Sequence, residues 1–294
     1  MAESASRLVK RYQDMLTVRQ SSEQVWQDIA DFVIPYKSNI IVKREPGRKQ
    51  TARLFDATAP HALGLLASSL HASMTPATQP WLSFKMRADD LNRDKSVQDW
   101  LEDCARRMHR AFRQSTFNQS VHEMYLDLAA FGTGAMFVEE RPITQAGVFG
   151  GFRFYVPALG TYVIAEDADG QVDTCFRVIT LSLRAAFARW GEQLPAQWLT
   201  QMAAKPETSV DVLHAVYPRR DRAYDARTNQ PKRGAKNMAY ASCYLAMTPK
   251  AIIEEGGFEE CPYLVPRGAK TSGETWGRGP SHTALPDVAT LNAT

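Results

Sequence analysis

Apolar side chains recur at helical spacing through the first third of the chain. Leu8, Tyr12, Met15 and Leu16 fall at i, i+4, i+7 and i+8, which predicts a helix from about Ser6 to Arg19 with one buried face. Ser21 with Gln24 three residues on resembles a capping box, and Trp26, Ile29 and Val33 continue the stripe to Pro35. This predicts a second helix, broken from the first. Tyr36 to Arg53 turns polar and basic (Lys37, Lys43, Arg44, Arg48, Lys49, Arg53) around Pro46-Gly47, as an exposed loop or ribbon does. Asp56 or Thr58 can cap a helix that begins near Pro60 and ends before Pro76. Ser96 with Asp99 opens a helix with Val97, Trp100, Leu101, Cys104, Met108 and Phe112 on one side and Arg106, Arg107, Arg110 and Arg113 mostly on the other. Another starts at Asn118, carries Val121, Met124, Tyr125 and Leu128, and stops where Gly132 supplies a left-handed cap.

Beyond Gly134 the period falls toward two. Met136–Glu140, Phe152–Pro157, Tyr162–Ala165 and Val172–Leu181 read as strands of one antiparallel meander. Two short helices follow, one through Leu183, Phe187 and Trp190 to Gly191, the other after Pro195 with Trp198, Leu199 and Met202. Val210–Tyr217, Met238–Met247 and a hairpin around Gly256-Gly257 are strand-like again. The stretch from Thr271 is punctuated by Gly and Pro and becomes weakly helical at Ala284–Leu291. The fold class is α+β: a helical N-terminal region, then antiparallel strands.

Charge narrows the function classes. Thirty-five Lys and Arg against 32 Asp and Glu leave +3 over 294 residues, which excludes a chain that is basic throughout. Any contact with nucleic acid is then local. The strongest basic run is Arg219, Arg220, Arg222, Arg227, Lys232, Arg233 and Lys236, between two strands and against only Asp221 and Asp225; it reads equally as a loop solvated by water or as a place where DNA phosphates or an acidic partner would dock. Four cysteines without a CxxC pair fit a reducing compartment. The longest apolar stretch, Ala62–Leu70, is about half the ~20 residues of a membrane span, and the N-terminus has no signal-like apolar core, so the expectation is a soluble intracellular protein.

Motifs for catalysis are weak. Gly132-Thr133-Gly134 follows a helix, whereas a phosphate loop precedes one. Trp276–Ser281 does precede a possible helix and holds an arginine, but without a Walker lysine or dinucleotide-fold strand it reads better as a structural turn. Asp167, Asp169, Gly170 and Asp173 fit an Asp-Gly turn better than a calcium loop. The six histidines form no HExxH pair, and no GxSxG elbow is present. The residues nominate no catalytic, cofactor or metal site.

Several phrases, in order, resemble the head-to-tail connecting (portal) proteins of short-tailed bacteriophages. They are Phe55-Asp56-Ala57-Thr58-Ala59-Pro60, then Leu70–Met74 with Thr75-Pro76 and Pro80-Trp81, then Asn118–Phe131 with Gly132-Thr133-Gly134. Tyr263–Pro266, Trp276-Gly277-Arg278-Gly279-Pro280, Ala284–Asp287 and Leu291-Asn292 follow. Within these phrases Asp56, Thr58, Pro60, Pro76, Trp81, Gly132, Gly134, Gly277, Arg278, Gly279 and Pro280 are the signature structural residues.

The resemblance implies a ring, usually of twelve copies, at one vertex of the virion. The partners it implies are the large terminase subunit, head-tail adaptor and tail proteins, capsid and scaffold proteins, and double-stranded DNA passing through the channel. Assembly would take place in the bacterial host cytoplasm, with no hydrolysis by this chain and no cofactor. It further implies a wing over 1–180, a helical stem element over 181–209, a β-rich clip over 210–266 that carries the basic run, and over 267–294 a turn into a second stem helix. Further helices, including the crown, would be expected beyond Thr294, so the resemblance is to a C-terminally truncated copy. Two other readings stand beside it: a nucleic-acid-processing enzyme with a carboxylate-metal site, and a monomeric DNA-binding or adaptor module using the 219–236 segment.

Overall fold

The structure, a computed structural model, describes residues 3–41, 51, 53–141, 147, 149–225, 227–228 and 230–293. Lys43, Arg44, Pro46, Gly47, Arg48 and Lys49 of the expected basic loop lie outside the described residues. In chain order the elements are α1 (Ala5–Val33), α2 (Thr58–Met74), α3 (Lys95–Arg113), α4 (Phe117–Phe131), β1 (Met136–Glu140), β2 (Phe152–Tyr155), β3 (Tyr162–Glu166) and β4 (Val172–Ser182). Then come α5 (Leu183–Trp190), α6 (Ala196–Ala204), β5 (Ser209–Pro218), β6 (Tyr240–Ala246), β7 (Ala251–Phe258), β8 (Tyr263–Leu264) and α7 (Pro280–Leu291). The α+β reading holds, with helices leading and antiparallel strands following.

Two compact units divide the chain. One comprises the described residues of 1–26, 39–43 and 157–262, the other those of 27–38, 44–156 and 263–294. In the first unit β3-β4-β5-β6-β7 form a consecutive antiparallel sheet. Because side chains alternate along a strand, one sheet face takes Leu213, Ala215 and Tyr217 against Leu8, Val9 and Tyr12 of α1. The other takes Val212, Tyr244 and Ala246 against Leu183, Ala186 and Trp190 of α5 and Trp198 of α6. In the second unit α2 and α4 enclose a core of Ala67, Phe117, Val121, Met124 and Tyr125 with Met136 of β1 and Phe154 of β2. Its sheet has the order β2-β1-β8.

Several local expectations need correction. The helix break before Ser21 does not occur, because Ser21 Oγ donates back to the Val18 carbonyl (3.0 Å) instead of accepting an N–H, and α1 runs through. Ser96 is not the start of α3: Asp94 Oδ1 accepts from Ser96 N (2.8 Å) and Ser96 Oγ (2.6 Å), so Asp94 is the cap. The strands do not form one meander, since β1 pairs with β2 on one side and with the distant β8 on the other, apart from the β3–β7 sheet. Gly256 and Gly257 lie within β7, and the β6–β7 turn is at 247–250. Gly257 serves close packing there, as a β-carbon would meet the Tyr240 carbonyl at 2.8 Å. The C-terminal helix starts four residues before Ala284, with Gly279 as cap and Pro280 in its first turn. β4 runs through 180 and pairs with β5 from Cys175↔Val216 to Ser182↔Ser209.

Candidate functional site

Two signature phrases far apart in sequence interlock in the second unit. α4 ends at Gly132, whose φ of 73° is the left-handed cap expected of it. The Gly132 carbonyl accepts from Gly268 N (2.7 Å), Thr133 Oγ1 accepts from Gly277 N (2.9 Å), and Gly134 N donates to the Pro266 carbonyl (3.2 Å). Ala269 and Arg278 exchange both backbone bonds, at 3.0 and 2.8 Å. Only hydrogen atoms fit where these segments cross. A β-carbon on Gly277 would stand 2.5 Å from the Gly132 carbonyl oxygen, and one on Gly279 would stand 2.7 Å from that of Ala129.

This arrangement decides the anion question for Trp276–Ser281 in favour of a structural turn. The N–H of Gly277 is taken by Thr133, and that of Gly279 by His282 Nδ1 (3.1 Å). The Arg278 guanidinium is held by Glu274 at 2.6 and 3.1 Å, which keeps the Glu274 carboxyl below its ordinary pKa. Just ahead of α2, whose N-cap is Ala57 rather than the expected Asp56 or Thr58, Asp56 Oδ1 accepts from Thr58 N (2.8 Å), and Pro60 stands in the first turn. Asn292 Oδ1 in turn accepts from Phe55 N (2.6 Å) and Asp56 N (2.9 Å). Trp81 lies parallel to Phe112 and Phe117, at 5.7 Å from each ring. Pro76 shares a cleft with that aromatic stack. Gly132, Gly134, Gly277, Arg278 and Gly279 thus lie in one crossing of segments, Pro76 and Trp81 in the aromatic cleft, and Asp56, Thr58 and Pro60 at the entry of α2.

The basic run lies in the first unit, and its members part company. Arg219 is buried: Nη1 is 2.9 Å from Glu255 Oε1, and Nη2 donates to the Gly256 carbonyl (3.0 Å). It is a fastening of the sheet, so the expectation of a docking contact is corrected at this position. Half-buried Arg222 donates through Nε to the Asn237 carbonyl (2.8 Å). Arg220, Arg227, Lys232, Arg233 and Lys236 are exposed. They ride on a loop pinned by Asp225 N to the Gln230 carbonyl and Lys232 N to the Ala223 carbonyl, both 2.8 Å.

Arg220 also borders a groove of about 970 Å³ that the sequence reading did not find. Arg7, Lys10 and Arg11 of α1 line it, and their i, i+3, i+4 spacing was the only signal in the sequence. Glu3, Asp14, Asp167, Asp173 and Asp221 line it too, so it is no cationic track for phosphates. His214 is packed in the sheet, 3.0 Å from Ser242 Oγ and parallel to Tyr244, and burial holds its pKa well below the ordinary value. Among the described residues no group of three or more His, Cys, Asp or Glu is placed to hold a metal ion, so nothing singles out the carboxylate-metal reading. Among them, too, no helix is long and apolar enough to cross a membrane.

Comparison with known proteins decides the family. The sequence pattern described as bacteriophage head to tail connecting protein matches residues 5–294. The chain belongs to this family. It is 30% identical over 298 residues to the probable portal protein of Bordetella phage BPP-1, an alignment covering 99% of this chain and 52% of that protein. It is also 30% identical over 277 residues to the portal protein of Salmonella phage epsilon15, covering 91% of this chain and 47% of that one. The chain thus spans about half the length of the curated relatives it matches. For this connecting-protein chain, the Gly132–Gly277 crossing and the Asn292–Phe55 clasp give these phrases a physical reason: one supplies backbone that another approaches or bonds.

Proposed function

We propose that the chain is a subunit of a phage portal, a ring of twelve copies at one capsid vertex through which DNA is packaged and ejected and to which the tail is joined. The match to the connecting-protein family over residues 5–294 carries this reading. In it the chain has no catalysis of its own and needs no cofactor. The large terminase subunit, head-tail adaptor and tail proteins, capsid and scaffold proteins and double-stranded DNA are its partners, and it assembles in the bacterial host cytoplasm. Its near-balanced charge suits a conduit, because a uniformly cationic bore would hold phosphates and stall transport.

The docking role passes to the exposed members of the loop, Arg220, Arg227, Lys232, Arg233 and Lys236, with Arg222 at its base. In this reading the clip is the β-rich stretch 210–266, and these residues are its contacts to motor, adaptor or DNA. The wing and stem ranges, 1–180 and 181–209, rest on resemblance alone. Negative-stain electron microscopy and native mass spectrometry test the reading: closed rings are expected. Chains that never exceed a dimer under assembly conditions would overturn it.

A further inference from the structure

Helix α3 faces the segment 80–86 across a groove of about 620 Å³ in the second unit. Leu101, Ala105 and His109, at i, i+4 and i+8, are the buried residues of α3, and they line it. Trp100, 62% exposed, stands half a turn round the helix from His109 and takes no part. On the facing wall Leu82 and Phe84 are half-buried while Ser83 and Lys85 are exposed, the period of two that an extended chain shows. Leu82 N donates to His109 Nε2 (3.3 Å) and Met86 N to Asn92 Oδ1 (2.8 Å). Between them the backbone N–H and C=O groups of Ser83, Phe84 and Lys85 have no partner among the described residues.

Charge and length say what fits there. Lys85, Arg106 and Arg113 line the groove against one acid, Glu102. At 100° per residue Arg106 and Arg113 leave α3 within about 20° of each other, on the side of Glu102 and His109. Arg106 has only a long pair with Asp103 (3.6 Å), Arg113 Nε reaches the His109 carbonyl at 3.5 Å, and Lys85 has no ion pair among the described residues. Water can satisfy an exposed cation or an exposed loop singly. Together, an apolar floor, an excess of cations and unpaired main chain match a ligand with apolar side chains, carboxylates and a main chain of its own. A fatty acid or a small aromatic acid has no main chain to offer. From Gln98 to Arg113 the helix wall is ~22 Å long, the reach of about seven extended residues.

We propose that this groove docks an extended, acidic segment of a partner protein, about seven residues long, in which apolar and acidic side chains alternate. The main chain of the segment pairs with that of Ser83–Lys85 as an added strand, lying between that wall and α3. Its apolar side chains enter towards Leu82, Phe84, Leu101 and Ala105. Its carboxylates meet Lys85, Arg106 and Arg113 in charge-assisted hydrogen bonds. A contact this short dissociates on the order of micromolar concentration. The proposal does not rest on the portal reading, because a chain that forms no ring can still dock such a segment.

The experiment probes an array of heptapeptides, in which Asp or Glu alternates with Leu, Ile or Phe, with the intact chain. The strongest binder is then labelled with fluorescein and titrated by anisotropy. Micromolar binding is expected. Arg106→Glu with Arg113→Glu should weaken it at least tenfold, and so should N-methylation of the peptide at alternate residues. Lys205→Glu with Lys250→Glu, an equal change of charge at exposed positions of the first unit, should leave it unaltered. Circular dichroism reports that each variant is folded. An array without a binder tighter than millimolar overturns the proposal, as do equal losses from the two pairs of reversals. Undiminished binding of the N-methylated peptide overturns it too, since the site would then take amphipathic acids without using their main chain. Binding by monomers that is lost in rings overturns it as well, in favour of a contact between copies.

Discussion

Gly132 and Arg278 pack backbone on backbone, with the Arg278 carbonyl carbon where a β-carbon on Gly132 would have to go. The φ of 73° at Gly132 adds a second penalty for any other residue. Gly132→Ala is therefore expected to cost about 2–4 kcal/mol, overlap and left-handed strain together. Gly64→Ala is the control: it lies inside α2 with nothing within 4 Å of the added carbon, and it should gain up to ~1 kcal/mol. Urea unfolding followed by tryptophan fluorescence reads both. Equal midpoints for Gly132→Ala and the parent would mean the two signature phrases do not cross as described.

Asn292 holds the entry of α2 through two backbone N–H groups, Phe55 and Asp56. Asn292→Ala leaves both donors without that acceptor and should cost about 1–3 kcal/mol. Asn292→Asp keeps an accepting oxygen and should recover most of the loss. Hydrogen exchange of the Asp56 amide is the local readout, faster in the alanine variant than in the aspartate one. Unchanged exchange in both would remove the clasp.

The local elements were legible where one residue type settles a local geometry. Gly132 after an apolar helical stripe announced its left-handed cap, and Pro195 announced α6. What stayed hidden was long-range. No property of Gly277 says that it will meet Gly132, because that contact is made by backbones. Arg219 looked like part of an exposed run because its partner Glu255 lies on β7, beyond β6. Trp100 was expected inside with Leu101, since a stripe wider than 100° shows that a helix is amphipathic without showing which part of the stripe the fold covers. The signature phrases placed the family correctly, and the backbone contacts between Gly132, Gly268 and Gly277 came only with the structure.

The split within the basic run gives a third expectation. Arg219→Ala leaves half-buried Glu255 without its closest cation and the Gly256 carbonyl without its donor, and should destabilise the chain by about 1–3 kcal/mol. Arg220→Ala, fully on the surface, should change stability by less than about 0.5 kcal/mol. Thermal melts of the two variants check this. A charge-reversal scan for docking is then meaningful at Arg220, Arg227, Lys232, Arg233 and Lys236, whereas at Arg219 it would report unfolding. Equal melting temperatures for the two alanine variants would return Arg219 to the surface.

Asp127 on α4 supplies a pH signature. Its carboxylate is buried, with Lys37 Nζ 2.7 Å away and Glu123 Oε1 3.0 Å from the same ammonium. Burial raises its pKa to about 6, against the pull of Lys37 and with a further push from Glu123. The folded chain thus keeps a proton that the unfolded chain releases near pH 4. Stability from this group falls as pH rises from about 4 to about 6 and is level above, a loss of up to about 3 kcal/mol. Asp127→Asn has no such titration, so the stability of the parent minus that of the variant should decline across this window. Lys37→Met removes the opposing cation, which extends the decline above pH 6. Urea denaturation from pH 4 to 7.5 gives the three profiles, and a parent-minus-Asn difference that is flat or rises with pH would contradict the buried carboxylate.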